Sequence, residues 1–193
     1  LHRPGSSTGA LVTALGFGLS AFVLLAAVQS AIDGNIAKRV PDRAPDYFVL
    51  DIPRDQVDEF ETLVRNADPG GSWRTVPALR GSVLAFGSEG AMTRTADLDE
   101  IPDGAWALRG ERGLTYADRL PEGNELTEGT WWGPMYAGEP LVSVDEDFAD
   151  AAGLKVGDML TFGVLGVDRT ARIANLRRID WESMGFNYVF VLS

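Results

Sequence analysis

The sequence predicts an α+β protein: one transmembrane helix near the N-terminus, followed by a mixed α/β domain outside the cytoplasm. Three observations lead to this prediction. No side chain between Pro4 and Ile32 is ionisable, short apolar runs bounded by Gly and Pro follow, and helix-period segments lie between those runs. We expect the helix and its extension in residues 1–40, with the span at about 8–32, and the α+β domain in residues 41–193.

The predicted span has the length and the apolar content that a lipid bilayer requires. Residues 11–28 are apolar except for Thr13 and Ser20, whose hydroxyls can bond back to carbonyls of their own helix. At 1.5 Å per residue this stretch is about 27 Å long, close to the hydrocarbon thickness. The eleven Leu, Val, Ile and Phe side chains between Leu11 and Ile32 contribute roughly −3 to −7 kcal/mol to insertion.

Two other interpretations of this segment stay open. A buried helix of a soluble protein is seldom this long and this free of charge. A cleaved signal peptide would suit the start His2-Arg3, although its apolar region should be shorter and no Ala-x-Ala precedes Asp33. The flanking charges leave the orientation undecided, since Arg3 lies on one side and basic residues mixed with acids lie on the other.

Small residues recur along one side of this helix. Ala10, Ala14 and Gly18 are spaced four apart, a pattern that lets another transmembrane helix approach closely. The alternative is that Ala and Gly are simply common in membrane spans. If the pattern is a packing face, further transmembrane helices belong to the protein. A start at Leu1 and an end inside an apolar run also suggest a piece of a longer chain.

Composition excludes several classes of function. The 193 residues carry a net charge of −11, and the part from Asp33 onward carries −12, so binding to nucleic acid is not expected. The chain has no cysteine, and its one histidine is His2, which excludes thiolate zinc sites, His-based metal sites and a Ser-His-Asp arrangement. No phosphate-binding Gly-x-x-x-x-Gly-Lys-Ser/Thr is present, so we expect no bound ATP and no cofactor in this chain.

In the first half of the body we predict a strand–helix–strand unit. Residues 34–46 should extend the first helix and then form a stiff linker. A strand is expected at residues 47–52, a helix after Pro53 with one face on that strand, and a second strand at 72–76. Beyond it we expect a strand at 80–86, a loop or short helical insertion at 88–103, a short strand at 105–109 and a turn-rich stretch at 114–130.

The last third has the clearest pattern. We predict a strand at 141–144, then a helix capped by Asp145 that Gly153 ends. Strands at 159–164, 168–176 and 188–192 should follow. The body is predicted to contain two subdomains, with residues of about 78–136 inserted between the N-terminal and C-terminal units.

Few side chains suggest chemistry. The acids of residues 145–150 point in different directions on a helix, so stabilisation of its N-terminus explains them better than a metal site. Trp131 and Trp132 are the candidate surface for a ligand or partner, with packing as the more ordinary role for both. A catalytic role is not expected, and the body is predicted to bind or to transmit force.

Several segments, taken together in order, resemble the permease subunits of the FtsX/MacB-like ABC transporter superfamily, and most of all its YbbP-type permeases. No single segment is diagnostic, but the ordered set covers nearly the whole body. Residues 88–103 match nothing in that pattern. The resembling segments are YFVLDI (47–52) with QV (56–57), VPALRG (76–81), LTY (114–116), LPEGN (120–124), GTWW (129–132), VSVD (142–145), AAGLKVGD (151–158), ARIANLR (171–177) and IDWESM (179–184).

The resemblance implies a MacB-like periplasmic core domain between two transmembrane helices of a much longer permease in the bacterial inner membrane. ATP would then be bound and hydrolysed by a separate ATPase subunit. The permease would couple that hydrolysis to export or extraction of lipids or hydrophobic compounds, or would signal to a periplasmic partner protein. The other hypothesis that stays open is a membrane-anchored ligand-binding or sensor domain without transport.

Overall fold

The computed structural model describes residues 8–39, 45–181 and 186–193, and the side chains of these residues except for 33–39. The chain divides into two compact units, one extending from the N-terminus to Tyr47 and one beginning at Phe48. The N-terminal unit consists mainly of helix α1, Thr8–Arg39. The second unit, called the body below, holds every strand that the structure describes.

Helix α1 matches the predicted span closely. From Thr8 to Ile32 it is long and apolar enough to cross a membrane, and within the described residues its side chains are exposed rather than packed into a core. The hydroxyls of Thr13 and Ser20 donate to the carbonyls of Gly9 and Gly16 at 2.9 Å and 2.8 Å. The predicted back-bonding is therefore confirmed, and so is the helix extension as far as Arg39. Residues 40–44, where most of the predicted linker falls, and the residues His2 and Arg3 lie outside the described residues.

Among the described residues, the body contains two α-helices and eight strands. Helix α2 is preceded by one 3-10 turn, Arg54–Gln56, and two further 3-10 turns are Thr95–Asp97 and Trp106–Leu108. In chain order the elements are α2 (Val57–Ala67), β1 (Leu79–Ser88), β2 (Ala91–Arg94), β3 (Arg112–Tyr116), β4 (Asn124–Gly129), β5 (Leu141–Asp145), α3 (Glu146–Ala152), β6 (Met159–Val164), β7 (Val167–Ile179) and β8 (Phe190–Leu192).

Six of the strands close into a ring, in the order β1, β3, β8, β5, β7, β6 and back to β1. Strand β2 extends this barrel-like sheet beside β1, and β4 extends it beside β7. The pairs β3–β8 and β5–β7 are parallel, and the other pairs are antiparallel. The longest hairpin joins β6 to β7, with register from Val164 opposite Val167 to Met159 opposite Arg172. Ring closure hides the backbone edges that an open sheet would leave unpaired.

The hydrophobic core draws on every strand of the ring. Phe190 of β8 is fully buried, and its ring meets those of Phe148 and Phe162 at centroid distances of 5.1 Å and 5.2 Å, edge to face. Buried aliphatic side chains such as Val144 and Ile173 complete the same cluster. Each such side chain contributes roughly 1.5–3 kcal/mol through burial, so the ring and α3 hold most of the stabilising contacts.

The predicted strand–helix–strand unit at the start of the body is wrong in its strands. Residues 47–52 and 72–76 are extended or irregular, and no described segment pairs with either of them. Val49 and Leu50 are exposed, and Asp51 has a positive φ of 60°. Helix α2 is confirmed, but none of its residues, all of which the structure describes, is buried. Its apolar face therefore lacks the predicted strand to cover it.

Two predictions in the middle of the body are also corrected. The loop or short helical insertion expected at 88–103 does contain a 3-10 turn, Thr95–Asp97, but it also contains strand β2, which was not predicted and which turns back on β1 through Gly90 at a φ of +82°. The expected strand at 105–109 contains the 3-10 turn Trp106–Leu108, in which Ala107 and Leu108 enter the core without backbone pairing while Trp106 is exposed. Residues 78–136 contribute β1, β3 and β4 to the common sheet, and a division of the body into two subdomains stays a prediction.

The predictions for the last third are confirmed. The carboxylate of Asp145 accepts a hydrogen bond from the backbone N–H of Phe148 at 3.3 Å, which caps α3. Gly153 ends the helix in the left-handed conformation, at a φ of +68°. The mixed α+β character of the body is therefore correct, while its closed sheet was not predicted.

Candidate binding groove

A groove of about 440 Å³ lies in the body between the extended segment 74–77, the ends of β3 and β8, and the start of β4. Most of its lining is apolar or aromatic, and two arginines and one acid contribute to it. The apolar and aromatic lining residues are Val76, Pro77, Tyr116, Ala117, Pro121, Phe186, Tyr188 and Val191, and the polar ones are Arg74, Thr75, Thr115, Asp118, Asn124 and Arg177. Concave sites of this size and composition are typical of small-molecule binding.

Hydrogen bonds hold the extended segment that forms one wall. Thr115, a buried residue of β3, donates to the carbonyl of Pro77 at 2.6 Å. Thr75 donates to the carboxylate of Glu61 on α2 at 2.6 Å. The segment lacks strand pairing among the described residues, so these side-chain bonds are what position it against β3.

Arg177 on β7 lies beneath the groove and is fully buried. Its Nε donates to the hydroxyl of Ser143 at 3.0 Å, and Nη1 donates to the amide oxygen of Asn124 at 2.5 Å. Its Nη2 donates to the carbonyls of Tyr188 and Val189, the second at 3.0 Å. One side chain thus joins β7 to β5, β4 and the segment that leads into β8.

The charge of this arginine is only partly compensated. Burial lowers the pKa of Arg177 to about 10, and the nearby Asp145 acts in the opposite direction. Burial also raises the pKa of Asp145, against the effects of the Phe148 N–H and of Arg177. Arg177 is therefore protonated at neutral pH, and its observed hydrogen bonds all end on neutral acceptors.

Two other arginines on β7, Arg172 and Arg178, form ion pairs with acidic side chains. Arg172 is 3.0 Å from a carboxylate oxygen of Glu139 and 3.1 Å from one of Glu89. Arg178 is 3.0 Å from a carboxylate oxygen of Glu146. These exposed or partly exposed arginines have acidic partners, whereas the buried one has none within hydrogen-bonding distance among the described residues. In a body with so many acids, the contrast marks Arg177 as a functional candidate.

The two predicted tryptophans adjoin the groove. Their rings are stacked, with centroids 4.3 Å apart and planes inclined by 27°. Trp132 is buried, and its indole N–H donates to the carbonyl of Ala117, a groove residue, at 2.7 Å. Trp131 is half-buried, and its N–H has no partner among the described residues. Trp132 thus packs and supports the groove wall, and a ligand-binding role for the pair stays a prediction.

Comparison with known proteins gives one informative match. The chain is 26% identical, over 99% of its length, to the uncharacterized ABC transporter permease YbbP of Escherichia coli (strain K12). The chain resembles an ABC transporter permease. The match covers 22% of that relative's length, so the chain corresponds to a segment of it. No family model matches the chain.

This match confirms the likeness to ABC transporter permeases that the sequence suggested. It extends over the apolar helix α1 as well as the body. A permease-like segment with a membrane-spanning helix points to association with a membrane. The finer affiliation to the FtsX/MacB-like branch is not part of what the match shows.

Other predicted site residues lie in the N-terminal unit. Ala10, Ala14 and Gly18 are on α1, and a side-chain carbon built at Gly18 would meet no described atom within 4 Å. Packing against other transmembrane helices stays a prediction.

Sequence reasoning missed Arg177 as a site residue, although a signal was present. In β7 every second position from 171 to 179 is buried, as is Leu176, and two of these buried residues, Asn175 and Arg177, are polar. An arginine in phase with buried Ile173 could have been recognised as an inward-facing charge.

Proposed function

We propose that the chain is the part of an ABC transporter permease subunit that consists of one transmembrane helix and a domain on the periplasmic side of the bacterial inner membrane. In this proposal, a separate subunit binds and hydrolyses ATP. The permease couples that hydrolysis to export or extraction of lipids or hydrophobic compounds. The carrying observation is the 26% identity to a permease over 99% of the chain, including α1.

The first experiment tests the partnership with an ATPase. We expect affinity-tagged full-length permease, purified in mild detergent from its native membranes, to bring down an ATPase subunit in stoichiometric amounts. An ATPase that hydrolyses ATP at the same rate with and without the permease, and does not copurify with it, would contradict the proposal. A tagged membrane protein of another class from the same cells serves as the control.

A second experiment tests the position of the body. Because the chain has no cysteine, single cysteines can be introduced at exposed sites. Met135 is 95% exposed and Leu165 is 89% exposed, so Met135→Cys and Leu165→Cys should react with a membrane-impermeant maleimide in intact cells whose outer membrane has been permeabilised. Ser6→Cys, before the helix, should react only after the inner membrane is opened. The reverse pattern would place the body in the cytoplasm.

The alternative, a membrane-anchored ligand-binding or sensor domain without transport, is favoured by one observation, the groove beneath which Arg177 is buried. The two functions differ in their dependence on ATP. Transport requires that ATP hydrolysis by the partner changes the conformation of the body. A sensor would bind its ligand with the same affinity whether or not ATP is present.

Helix packing gives a further test of the permease assignment. Larger side chains in Ala14→Leu and Gly18→Leu should weaken the association of α1 with other transmembrane helices, because the small-residue face allows close approach. Gly16→Leu, which makes the same kind of enlargement on the opposite side of α1 because residues two apart differ by about 200° around the helix, is the matched control. Crosslinking between α1 and other spans of the full-length permease measures the effect, and equal crosslinking in all three variants would contradict this packing face.

A further inference from the structure

The groove combines an apolar lining with a buried positive charge. Its volume, about 440 Å³, falls within the range of small-molecule sites. Val76, Phe186 and Val191 supply aliphatic and aromatic surface, which is suited to a hydrocarbon chain. The charge beneath this surface is the guanidinium of Arg177.

The hydrogen bonds of Arg177 leave capacity for an anion. A guanidinium has five N–H groups, and four hydrogen bonds from this one are observed. The remaining N–H is on Nη1, the nitrogen that bonds to Asn124, and both residues line the groove. Since the four acceptors are neutral, an anion in the groove would meet a positive charge in a region of low dielectric constant.

A second cation lies at the rim. Arg74 is 3.3 Å from the carboxylate of Glu122, and both side chains are largely exposed. Exposed pairs of this kind contribute little free energy, so Arg74 can exchange Glu122 for the head of a ligand. Asp118 also lines the groove and disfavours small anions that have no apolar part. Favourable binding therefore requires both a negative head and an apolar chain.

We propose that this groove binds an anionic single-chain amphiphile, with its hydrocarbon chain on the apolar lining and a carboxylate or phosphate head directed toward Arg177 and Arg74. This inference names a ligand class for the proposed permease segment, and it rests on the proposed function only for the ligand's role as cargo. The binding itself follows from the groove.

The probe is dodecanoate that carries a photoreactive diazirine, applied to the full chain in nanodiscs of a zwitterionic lipid. We expect crosslinks in the peptides that contain residues 74–77, 115–121 and 186–191. Unlabelled dodecanoate and dodecyl phosphate should both compete. Acetate and inorganic phosphate, which have the head without the chain, and dodecyltrimethylammonium, which has the opposite charge, should not compete.

Three variants locate the binding determinants. Ala117→Phe places a ring at the groove lining and should abolish specific crosslinking. Arg177→Gln should raise the concentration for half-maximal labelling by about tenfold or more, because the positive charge is lost. Arg169→Gln, an exposed arginine on the same strand, should leave labelling unchanged. Thermal unfolding followed by tryptophan fluorescence shows which variants are folded.

Labelling that is spread over the body, or that Ala117→Phe does not change, would overturn the proposal. Equal competition by dodecyltrimethylammonium would overturn the charge assignment even if Arg177→Gln does not fold. Saturable labelling together with no bound ATPase would leave the groove inference standing and refute the transport role. An ATPase complex without labelling would refute the groove inference and leave the transport role standing.

Discussion

Residues 47–76 and residues 141–164 carry similar sequence patterns, an apolar run, a helix and a second predicted strand, yet they pack very differently. In the later part, β5 pairs with β7 on one side and with β8 on the other, and α3 buries Phe148. In the earlier part, the predicted strands pair with no described segment and α2 buries no residue. The comparison shows that hydrophobic periodicity indicates which secondary structure a segment can form. Contacts with distant segments decide whether a strand is paired and whether a helix is buried.

The largest expected contrast is between two phenylalanines. Phe190→Ala removes a ring that contacts Phe148 and Phe162, so we expect a loss of about 3–5 kcal/mol in the free energy of unfolding. Phe60→Ala on the half-exposed face of α2 should cost less than about 1.5 kcal/mol. All five tryptophans lie in the body, so urea unfolding followed by their fluorescence reports on it. Equal losses would mean that α2 has a partner in solution.

Two glycines test the same contrast between the closely packed sheet and the loosely packed segment 47–76, because an added side-chain carbon would clash in one place and not in the other. A side-chain carbon at Gly129 would lie 2.3 Å from the carbonyl oxygen of Ala174, and its φ is +78°. Gly129→Ala should therefore cost roughly 2–4 kcal/mol. At Gly70 the nearest atom is 3.8 Å away, so Gly70→Ala should change stability by less than about 0.5 kcal/mol. A tolerated Gly129→Ala would show that β4 does not lie against β7 as observed.

Helix caps provide a smaller effect. Asp145→Ala removes the hydrogen bond to the N–H of Phe148 and should destabilise the body by about 1 kcal/mol. Gln56 occupies the corresponding position of α2 and makes no capping bond, so Gln56→Ala should have almost no effect. The midpoint of thermal unfolding distinguishes the two. A similar shift in both variants would indicate that capping is not the cause.

The smallest expected effect concerns pH. Burial raises the pKa of Asp145 above its usual value of 3.8, so the folded state binds the proton more strongly than the unfolded state does. The corresponding stabilisation is complete below that value and is lost as the pH rises through the higher folded pKa. Relative to Asp145→Asn, the wild-type protein should therefore lose stability from pH 4 upward. Urea unfolding at a series of pH values measures this difference, and the exposed Asp168→Asn serves as the control.

Local features of the sequence predicted much of the fold. The span of α1, the cap and end of α3 and the strands of the β6–β7 hairpin depend on neighbouring residues, and all were found as expected. The predicted strand at 105–109 was wrong because Ala107 and Leu108 reach the core from a 3-10 turn. Apolar content showed that these residues would be buried, but it did not show that they would pair.

The candidate site was predictable only in part. The tryptophan pair was singled out from its sequence, and it adjoins the groove through the carbonyl of Ala117. The groove itself brings together segments separated by more than 100 residues, from Arg74 to Val191. No local pattern gives that proximity, because it results from the parallel pairing of β3 with β8.

By itself, the sequence determined the membrane-compatible helix, the acidic surface charge and the capped helix α3, since each follows from residues close together in the chain. Only the tertiary structure decided that residues 47–52 stay unpaired, that six strands close into a ring and that Arg177 is buried beside neutral acceptors. The physical reason is that strand pairing and burial draw their free energy from contacts between distant segments. The local sequence around an apolar run or an arginine does not indicate which distant segment it will contact.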